Sequence, residues 1–376
     1  MKRVLLIQEH MPHYRIAFFE GLRSRLAEMG ITLDLVHGKD RDKRMVAGEL
    51  DWSIPVSIRK VGPFSWHACM PPTRPYDLII APQEIKYLGC LFLQACSWFG
   101  GTKFAYWGHG KTFQANNQNS LTERLKRFLA TKVHWWFAYN DLSARIVADL
   151  GLPKERITSV GNAIDTKGLV QARAALDQGT LEELKTSLGI ASDHVAVYTG
   201  GIYSNKRIPF LLEAARRVRA QIPDFHLLVI GEGPDRPLVS AAARDYPWIH
   251  DLGPKNDAEK VPYWAISQML LMPGVVGLVV VDSFALGVPL ITTDYPYHGP
   301  EIDYLKSGMN GLLVACGDDV EAYATEVIRL FQSPEELQRL RQGALDSAPH
   351  HTIERMVENF AAGVLLAIDA QPCSNV

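Results

Sequence analysis

The sequence has few cysteines, no excess of either charge and no long uninterrupted hydrophobic run. Its five cysteines are odd in number and show no CxxC spacing, which argues against a disulfide framework and a zinc site and favours a reducing cytoplasm. Lys and Arg number 39 against 41 Asp and Glu, so no global field points to nucleic acid. With 47% hydrophobic and 21% charged residues, the composition is that of a globular protein.

Neither apolar stretch of the chain is long enough to cross a membrane. Residues 4–7 (VLLI) are followed at once by Gln8, Glu9 and His10, whereas the apolar core of a signal peptide runs for about 7–15 residues. The segment 87–100 is shorter than the ~20 residues of a spanning helix and contains Gln94. We therefore expect neither a signal peptide nor a transmembrane segment.

Strand and helix patterns alternate along the whole chain. At 376 residues it is long enough for two domains, with a linker expected near residues 165–174. Apolar segments such as RVLLI, YDLIIAP, VAVYTGG and FHLLVIGEG predict strands, and RIAFFEGLRSRLAEMG and IPFLLEAARRVRAQI predict helices. Apolar strands separated by helices indicate an α/β fold with doubly wound parallel sheets, covered on both faces.

Doubly wound sheets bind ligands beyond the carboxyl ends of their strands, so the residues that follow strands are the candidates for a site. The segment VYTGGIYSNKRIPFLLEAA places Gly200 and Gly201 after a strand, and Lys206 and Arg207 before a helix. Glycine lets the backbone approach a ligand, and adjacent cations favour phosphate oxygens. An ordinary turn with two solvated basic residues fits equally well, and the Walker pattern GxxxxGK[ST] is absent.

Two further strand ends carry candidate residues. GEGP, with Gly231 and Glu232, follows a strand but is too short for a GxGxxG dinucleotide fingerprint. In YWGHGKTF, His109 stands between glycines that leave it little to pack against, so we expect it to hydrogen-bond a substrate. The alternative is a loop histidine that caps a turn.

The loop after the first predicted strand is a candidate acceptor site. In QEHMPHYRIAFFEGL the turn is occupied by His13, Tyr14 and Arg15. These side chains suit contacts to an acceptor hydroxyl or phosphate, and nearly as well suit a role in capping the helix that follows.

The most apolar stretch, MPGVVGLVVVDSFALGVPLITTDYP, contains one carboxylate, Asp282, and glycines at positions 274, 277 and 287. Propensity alone predicts a strand for VVGLVVV, because β-branched residues dominate it. A single charge and three flexible backbone points are unusual for a buried strand.

Taken together, these motifs resemble those of the retaining glycosyltransferases of family 4, which have the GT-B fold of two Rossmann-like domains facing a cleft. The resemblance covers most of the chain and is carried by GGIYSNKRIPFLLEAA, LLVIGEGP, GLVVVDSFALGVPLITT, HGPEI, SGMNGLLV and VGNAID. It implies that residues 277–286 form a helix whose N-terminal amides face a donor diphosphate. It also implies an acceptor-binding domain over residues 1–165, with a C-terminal helix at about 352–376 crossing back to it, and a donor-binding domain over residues 166–351.

The sequence departs from the family pattern at two places. Family members usually carry two glutamates with seven residues between them, the first contacting the transferred sugar and the second the nucleotide ribose. Here the two positions hold Gly274 and Asp282, the latter a shorter carboxylate that can still accept ribose hydroxyl bonds. An arginine that often follows the first glycine of the GGIYSNKR region is replaced by Gly201, and Arg207 is the neighbouring residue that can supply its charge.

The resemblance predicts a metal-independent hexosyltransferase that needs no cofactor. It would move a sugar from a UDP- or GDP-linked donor to a glycan or lipid-linked acceptor with retention, in bacterial polysaccharide or glycolipid biosynthesis. Lys206 and Arg207 are expected to stabilise the leaving diphosphate, and His109 to hold a hydroxyl of the donor sugar rather than act as a base. The predicted donor-binding residues are Gly200, Gly201, Gly231, Glu232, Gly274, Val275, Val276, Gly277, Leu278, Val279 and Asp282.

Two other classes of function remain open at the level of sequence. A nucleotide-sugar epimerase or hydrolase of the same fold would form product from the donor alone. A non-catalytic nucleotide-sugar-binding partner protein would bind the donor without turnover, and the missing glutamate at position 274 favours it.

Two charged segments have alternative readings. Asp40, Arg41 and Asp42 match a metal-binding DxD, but the flanking basic residues oppose a divalent cation and a solvated loop is the simpler interpretation. The segment from Lys126 to Trp136 fits either peripheral contact with an anionic membrane or a surface helix that leads into a core strand. We expect a cytoplasmic protein that contacts the inner membrane face if the former holds.

Overall fold

The computed structural model describes residues 1–39, 50–62, 64–67, 75–84, 86–110 and 121–371. The chain divides into two compact units. Met1–Asp165 together with Thr352–Val376 form the first, and Thr166–His351 form the second.

The first unit is built on a seven-stranded parallel sheet and a separate two-stranded hairpin. Its strands are β1 (Lys2–Gln8), β2 (Ile31–Gly38), β3 (Ile54–Val56), β4 (Ile58–Val61), β5 (Phe64–His67), β6 (Leu78–Pro82), β7 (Lys103–Gly108), β8 (Trp135–Ala138) and β9 (Ile157–Ser159). The large sheet has the order β3-β2-β1-β6-β7-β8-β9, and β4 pairs with β5 in antiparallel fashion. Its helices are α1 (Ile16–Glu28), α2 (Leu88–Ser97), α3 (Leu121–Ala130), α4 (Asp141–Asp149) and α13 (Ile353–Asp369).

Helix α13 is part of the core of this unit, although the whole second unit separates it from β9 in sequence. Phe360 stacks on Phe137 with ring centroids 4.3 Å apart and lies 5.1 Å from Trp107. A Cβ at Gly363 would lie only 2.6 Å from the Thr158 hydroxyl oxygen, so glycine permits the close approach of helix and strand.

The second unit contains a six-stranded parallel sheet. Its strands are β10 (Val195–Thr199), β11 (His226–Ile230), β12 (Ile249–Gly253), β13 (Met269–Met272), β14 (Leu290–Thr293) and β15 (Gly311–Val314). Its helices are α5 (Lys167–Ala174), α6 (Gln178–Ser187), α7 (Ile208–Gln221), α8 (Arg236–Asp245), α9 (Asp257–Ala265), α10 (Val279–Leu286), α11 (Val320–Phe331) and α12 (Pro334–Ser347). The order β12-β11-β10-β13-β14-β15 reverses between β10 and β13, which is the topological switch point of a doubly wound sheet.

The apolar stretch that propensity assigns to a strand is helical from Val279, so that prediction was wrong and the one implied by the resemblance is confirmed. Gly287 ends the helix in the left-handed conformation (φ 64°). The valines are accommodated because Val280, Val281 and Phe284 are buried, and packing outweighs their β propensity. The two doubly wound parallel sheets predicted from the alternation of patterns are confirmed.

Candidate functional site

At the switch point of the second sheet, the loops that follow β10 and β13 are joined by direct contacts. The amide of Val275 donates to the carbonyl of Asn205 at 3.0 Å. The ammonium of Lys206 donates to the carbonyl of Val275 and lies 3.8 Å from the sulfur of Met272. Lys206 and the segment before α10 therefore form one structural feature at the position where doubly wound sheets bind ligands.

Lys206 is a buried cation with no compensating acid among the described residues. Lys206 is 7% exposed, and burial lowers the pKa of its ammonium to about 8. No carboxylate among the described residues forms an ion pair with it. Because an uncompensated buried charge is costly, an anion that binds beside Lys206 would relieve the penalty.

The backbone amides that lead into α10 also lack acceptors within the described ranges. In the part of the chain that the structure describes, the N–H groups of Gly277, Leu278 and Val279 donate no hydrogen bond. All three residues are only partly buried, so a ligand can approach them. Such amides, together with the positive end of the helix dipole, favour a phosphate or another anion.

His298 fixes the segment before α10, a role that sequence reasoning did not assign to it. Its Nδ1 accepts from the amide of Val276 at 3.0 Å, so its Nε2 carries the proton and donates to the carbonyl of Thr293 at 2.8 Å. Burial lowers the pKa of His298, which favours this neutral form. The only signal in the sequence was the HGPEI motif itself.

Gly274, at the position of the first family glutamate, has no room for a side chain. A Cβ built there would lie 2.4 Å from the carbonyl oxygen of Asn205 and 2.5 Å from the carbonyl carbon of Lys206. The backbone of the β10–α7 loop thus occupies the space next to Gly274. The glycine permits this close approach of two loops, and the missing carboxylate is one consequence.

Arg207 is committed to protein contacts in the structure. It adopts the left-handed conformation (φ 57°, ψ 44°), which is unfavourable for a residue with a side chain. Its guanidinium donates to the carbonyls of Pro273 and Gly317, at 3.3 and 3.1 Å, and pairs with Asp318 at 2.6 Å. The side chain therefore connects the loops that follow β13 and β15.

The glycines of the two neighbouring loops are explained by backbone packing. A Cβ at Gly231 would lie 2.0 Å from the carbonyl oxygen of Gly200, and the amide of Ile202 donates to the carbonyl of Glu232 at 2.8 Å. At Gly201 the ring of Tyr203 occupies the space of a side chain, because a Cβ there would lie 2.3 Å from it. The side chain of Glu232 pairs with Arg236 at 2.5 Å. These four predicted donor-binding residues lie at the carboxyl edge of the sheet, on the β10 and β11 loops.

Asp282 lies in the first turn of α10 and is buried. Its Oδ2 accepts from the ammonium of Lys260 at 2.8 Å, and Lys260 also pairs with Asp257 at 2.7 Å. Burial opposes the charge of Lys260, but the two carboxylates outweigh it and raise the pKa of the ammonium. The Oδ1 of Asp282 has no hydrogen-bond partner among the described residues.

In the first unit, the loop after β1 places a second buried cation. Arg15 is buried, and its guanidinium carbon lies 5.3 Å from the ring of Trp107 and 5.9 Å from that of Tyr139. Within the described ranges, no carboxylate pairs with it. His13 is exposed and Tyr14 is partly buried, so the three predicted acceptor-binding residues differ in access to solvent.

His109 follows β7 and packs more closely than its flanking glycines suggested. Its ring centroid lies 4.2 Å from that of Tyr139, so the expectation that it has little to pack against was wrong. Burial, aided by the positive charges of Lys126 and Arg15, lowers the pKa of His109 to about 4. Its imidazole is therefore neutral near pH 7 and suited to hydrogen bonding with a hydroxyl.

The structure describes only one of the two charged segments singled out in the sequence, residues 126–136. Asp40, Arg41 and Asp42 lie outside the described residues, and the described part of the chain contains no group of three or more acidic, histidine or cysteine side chains arranged to hold a metal ion. In the second segment Trp135 and Trp136 belong to β8 and are buried. No helix among the described residues is both long and apolar enough to cross a bilayer.

Comparison with known proteins relates these features to one class of enzyme. Residues 193–333 match the family model described as glycosyl transferases group 1. The chain is 26% identical to the alpha-monoglucosyldiacylglycerol synthase of Acholeplasma laidlawii over 194 residues, which are 50% of this chain and 47% of the synthase. It is 26% identical to the putative glycosyltransferase EpsD of Bacillus subtilis over 183 residues, covering 45% of this chain and 46% of EpsD. The chain thus matches about half the length of these curated relatives.

The fold is shared over almost the whole chain. The crystal structure of HepE from Anabaena in complex with UDP superposes with a TM-score of 0.70 at 14% identity, covering 97% of this chain and all of HepE. Residues 193–333 are thus similar to the group 1 glycosyl transferases, and the structural likeness shows that the chain has the two Rossmann-like parallel-sheet units of its GT-B neighbours.

Proposed function

We propose that the protein is a glycosyltransferase that moves a sugar from a nucleotide-diphosphate sugar to a glycan or lipid-linked acceptor. The observation that carries the proposal is that Lys206 is bonded to the segment before α10, and that in the described part of the chain neither Lys206 has a carboxylate partner nor the amides of Gly277, Leu278 and Val279 an acceptor. A diphosphate supplies both the negative charge and the acceptor oxygens that this site lacks. The group 1 match over residues 193–333 includes every one of these residues.

The proposed catalysis is electrostatic and requires no metal. When the glycosidic bond to the donor breaks, negative charge develops on the departing diphosphate. Lys206 and the amides before α10 are fixed in place, so they stabilise this charge without reorganisation. Loss of one such donor typically lowers kcat by about 10²–10³.

The remaining donor-site residues have supporting roles in this proposal. Arg207 positions the loops after β13 and β15 through its contacts with Pro273 and Gly317. Asp282 is proposed to accept from a ribose hydroxyl, as the family pattern implies; its Oδ1 has no partner among the described residues but is buried, so a ribose reaches it only if the surrounding side chains move aside. A UDP-linked donor is preferred over a GDP-linked one because HepE was crystallised with UDP.

The stereochemical proposal is retention by front-face substitution, with the departing phosphate oxygen taking the acceptor proton. A pKa of about 4 makes His109 a weak base at neutral pH, which supports the positioning of a substrate hydroxyl instead. NMR of the product tests this step: an inverted linkage would contradict retention and revive a basic role for His109.

The acceptor is proposed to bind at the carboxyl edge of the first sheet. Arg15 provides a buried guanidinium for an acceptor phosphate, and His13 and Tyr14 lie beside it in sequence. A phosphate-bearing lipid-linked acceptor would fit a cytoplasmic enzyme of polysaccharide or glycolipid assembly. We also propose peripheral membrane contact through residues 126–136, although Trp135 and Trp136 are buried and take no part in it.

The decisive test compares Lys206→Met with Lys185→Met, a control on α6 away from the carboxyl edge of the sheet. Wild-type protein is first screened with UDP- and GDP-sugars by thermal shift, because a ligand of the native state raises apparent stability. We expect Lys206→Met to lose the shift and about 10²–10³ in turnover, with the control unchanged. Near-normal turnover in Lys206→Met would remove this residue from catalysis.

The same assay separates the two other candidates. A non-catalytic donor-binding protein, favoured by the closed space at Gly274, would show the shift without turnover on any acceptor. An epimerase or hydrolase would form product from the donor with no acceptor present.

A further inference from the structure

We infer that the first unit carries a surface that binds an anionic lipid bilayer. This surface, the α2–α3 face, consists of the exposed side chains of Trp66, Phe92, Phe99, Leu125 and Phe128. The inference rests in part on the membrane contact proposed above, which included Phe128, and is independent of the donor site because binding to vesicles is measured without substrate.

Helix α2 and the turn after it lack charged residues, although one side of the helix is exposed. From Tyr87 to Thr102 the sequence contains no Asp, Glu, Lys or Arg. Phe92 is 46% exposed and Phe99 is 91% exposed. A surface helix ordinarily presents charged and polar residues to water, so an uncharged exposed side with two phenylalanines indicates a partner.

Exposed aromatic side chains are concentrated on this part of the molecule. Among the described residues, every Phe or Trp that is exposed lies between Phe64 and Phe128 in sequence. The ring of Trp66 on the β4–β5 hairpin lies 6.3 Å from that of Phe92, so hairpin and helix form one apolar surface. Aromatic residues are enriched where proteins meet the interface of a bilayer.

Helix α3 extends the surface and adds positive charge. The side-chain amide of Gln94 donates to the carbonyl of Leu129 at 2.9 Å, and the indole of Trp98 donates to that of Lys132 at 3.1 Å, which places the ends of α2 and α3 side by side. Phe128 is 57% exposed, and the ammonium of Lys132 lies 5.6 Å from its ring centroid. The apolar surface is thus bordered by a cation.

The charge of this region identifies the kind of partner. From Tyr87 to Trp136 the sequence has six Lys or Arg residues and one acidic residue. Lys126 is buried, Lys103 donates to the carbonyl of Ile368, and Lys111 lies outside the described residues, so the cations available to a partner are Arg124, Arg127 and Lys132. Apolar aromatic side chains with Lys and Arg beside them are typical of proteins that lie on anionic membranes. A second copy of the chain fits less well, because a symmetric contact would bring the same positive charges together.

The geometry also changes which part of the chain contacts lipid. Trp135 and Trp136 lie inside β8, and Lys126 is buried, so these residues of the segment predicted from sequence cannot reach a bilayer. The exposed residues Arg124, Leu125 and Phe128 lie on α3. The first two precede that segment and Phe128 is its third residue. The lipid-binding surface therefore centres on α2, which sequence reasoning had considered only as a spanning helix.

Flotation of the full chain with vesicles tests the inference. The probes are vesicles of phosphatidylcholine alone and of phosphatidylcholine mixed with phosphatidylglycerol. We expect partition onto the anionic vesicles to be about 100-fold stronger, since each basic residue near such a surface contributes roughly fivefold. High salt should reduce this difference by screening.

Two variants with matched controls locate the surface. Phe99→Ser should weaken partition about tenfold through lost apolar burial, and Arg124→Glu by a similar factor through charge reversal. The controls lie on α13 of the same unit: Leu366→Ser, at a residue that is 58% exposed, and Arg355→Glu, which makes the same change of charge. Both controls should bind as the wild type does. Because Phe99 is almost fully exposed, its replacement leaves the fold intact.

Several results would overturn the inference. These are absence of binding to anionic vesicles, equal binding to both kinds of vesicle, and wild-type binding by Phe99→Ser and Arg124→Glu. Self-association that Phe99→Ser abolishes, without vesicle binding, would assign the face to a second copy instead. The nucleotide thermal shift should persist in Phe99→Ser, so failure of this inference and failure of the donor-site proposal give different results.

Discussion

The carboxyl edges of the two parallel sheets are built from the same strand–loop–helix units, yet each surrounds its buried cation differently. In the second unit, Lys206 bonds to the carbonyl of Val275, in the segment that leads into α10. In the first unit, Arg15 lies against aromatic rings, near the neutral His109. The second edge combines a cation with hydrogen-bond donors of the backbone, whereas the first combines a cation with aromatic rings and an imidazole.

This difference shows that the sheet determines where a ligand binds and the loops determine what it is. Both candidate sites lie where doubly wound sheets place them. Their chemistry follows from local details, such as the glycine at position 274 that lets two loops touch, or the ring of Tyr139 under His109. A fold shared with glycosyltransferases therefore does not by itself establish an activity or a substrate.

The largest expected effect comes from restoring the first family glutamate in the second unit. Gly274→Glu should abolish nucleotide binding and destabilise the unit by about 3 kcal/mol or more, because its Cβ overlaps the backbone of Asn205 and Lys206. Thermal shift with UDP and chemical denaturation measure the two effects. Gly277→Ala is the stability control, since nothing lies within 4 Å of a Cβ there. A stable Gly274→Glu variant that still binds nucleotide would show that the β10–α7 loop moves aside easily.

The second prediction concerns the first unit and the loss of its stability at acid pH. The folded pKa of His109 is about 4 and the ordinary value is 6.5, so the unfolded chain binds more protons between these values. The contribution of neutral His109 to stability is complete above about pH 6.5 and is lost as the pH falls towards 4, by up to about 3 kcal/mol.

Denaturation of the wild type and of His109→Gln over this pH range measures that contribution. The wild type should lose more free energy of unfolding than the variant. His250→Gln makes the same change in the second unit and is measured for comparison, because burial and the neighbouring His226 also lower the pKa of His250 to about 4. Equal pH dependence in wild type and His109→Gln would mean that His109 is more hydrated than its surroundings indicate.

Much of the fold could be predicted because periodicity reports burial. The strand patterns of VAVYTGG and FHLLVIGEG end two and three residues after β10 and β11 end, and the rule that ligands bind after strands led to Lys206. Propensity failed at Val279, where the packing of α10 against other elements outweighs local preference. That helix was predicted correctly only through a family resemblance.

The details of the candidate site could not be predicted, because they depend on contacts distant in sequence. Arg207 bonds to Gly317, 110 residues away, and Lys206 to Val275, 69 residues away. The pairing of Asp282 with Lys260 spans 22 residues, and no local pattern marks it. Spacing identified which residues follow strands, but not which of their charged side chains would bond to other groups of the protein.

The pH dependence of nucleotide affinity sharpens the role of Lys206. Its folded pKa in the free protein is about 8, and a diphosphate binds only the charged form tightly. The dissociation constant for UDP should therefore rise above pH 8, by up to about tenfold for each pH unit, until the pKa of the complex is reached. Calorimetry between pH 7 and pH 9 measures this, and Lys206→Met should give weak binding with a flat profile. A flat profile in the wild type would place the phosphates elsewhere.

The smallest expected effect separates the two cations of the β10–α7 loop. Arg207 keeps a left-handed backbone although it has a side chain, and its bonds to the loops after β13 and β15 compensate for the strain. Arg207→Ala loses those bonds and keeps the strain, whereas Arg207→Gly loses the bonds and relieves it. We therefore expect the glycine variant to be more stable than the alanine variant by about 1 kcal/mol, measured by denaturation. Both should bind UDP more weakly than the wild type does, but each should keep the pH dependence that belongs to Lys206. If that pH dependence disappears with Arg207, the guanidinium itself contacts the diphosphate, and the division of roles between the two cations is wrong.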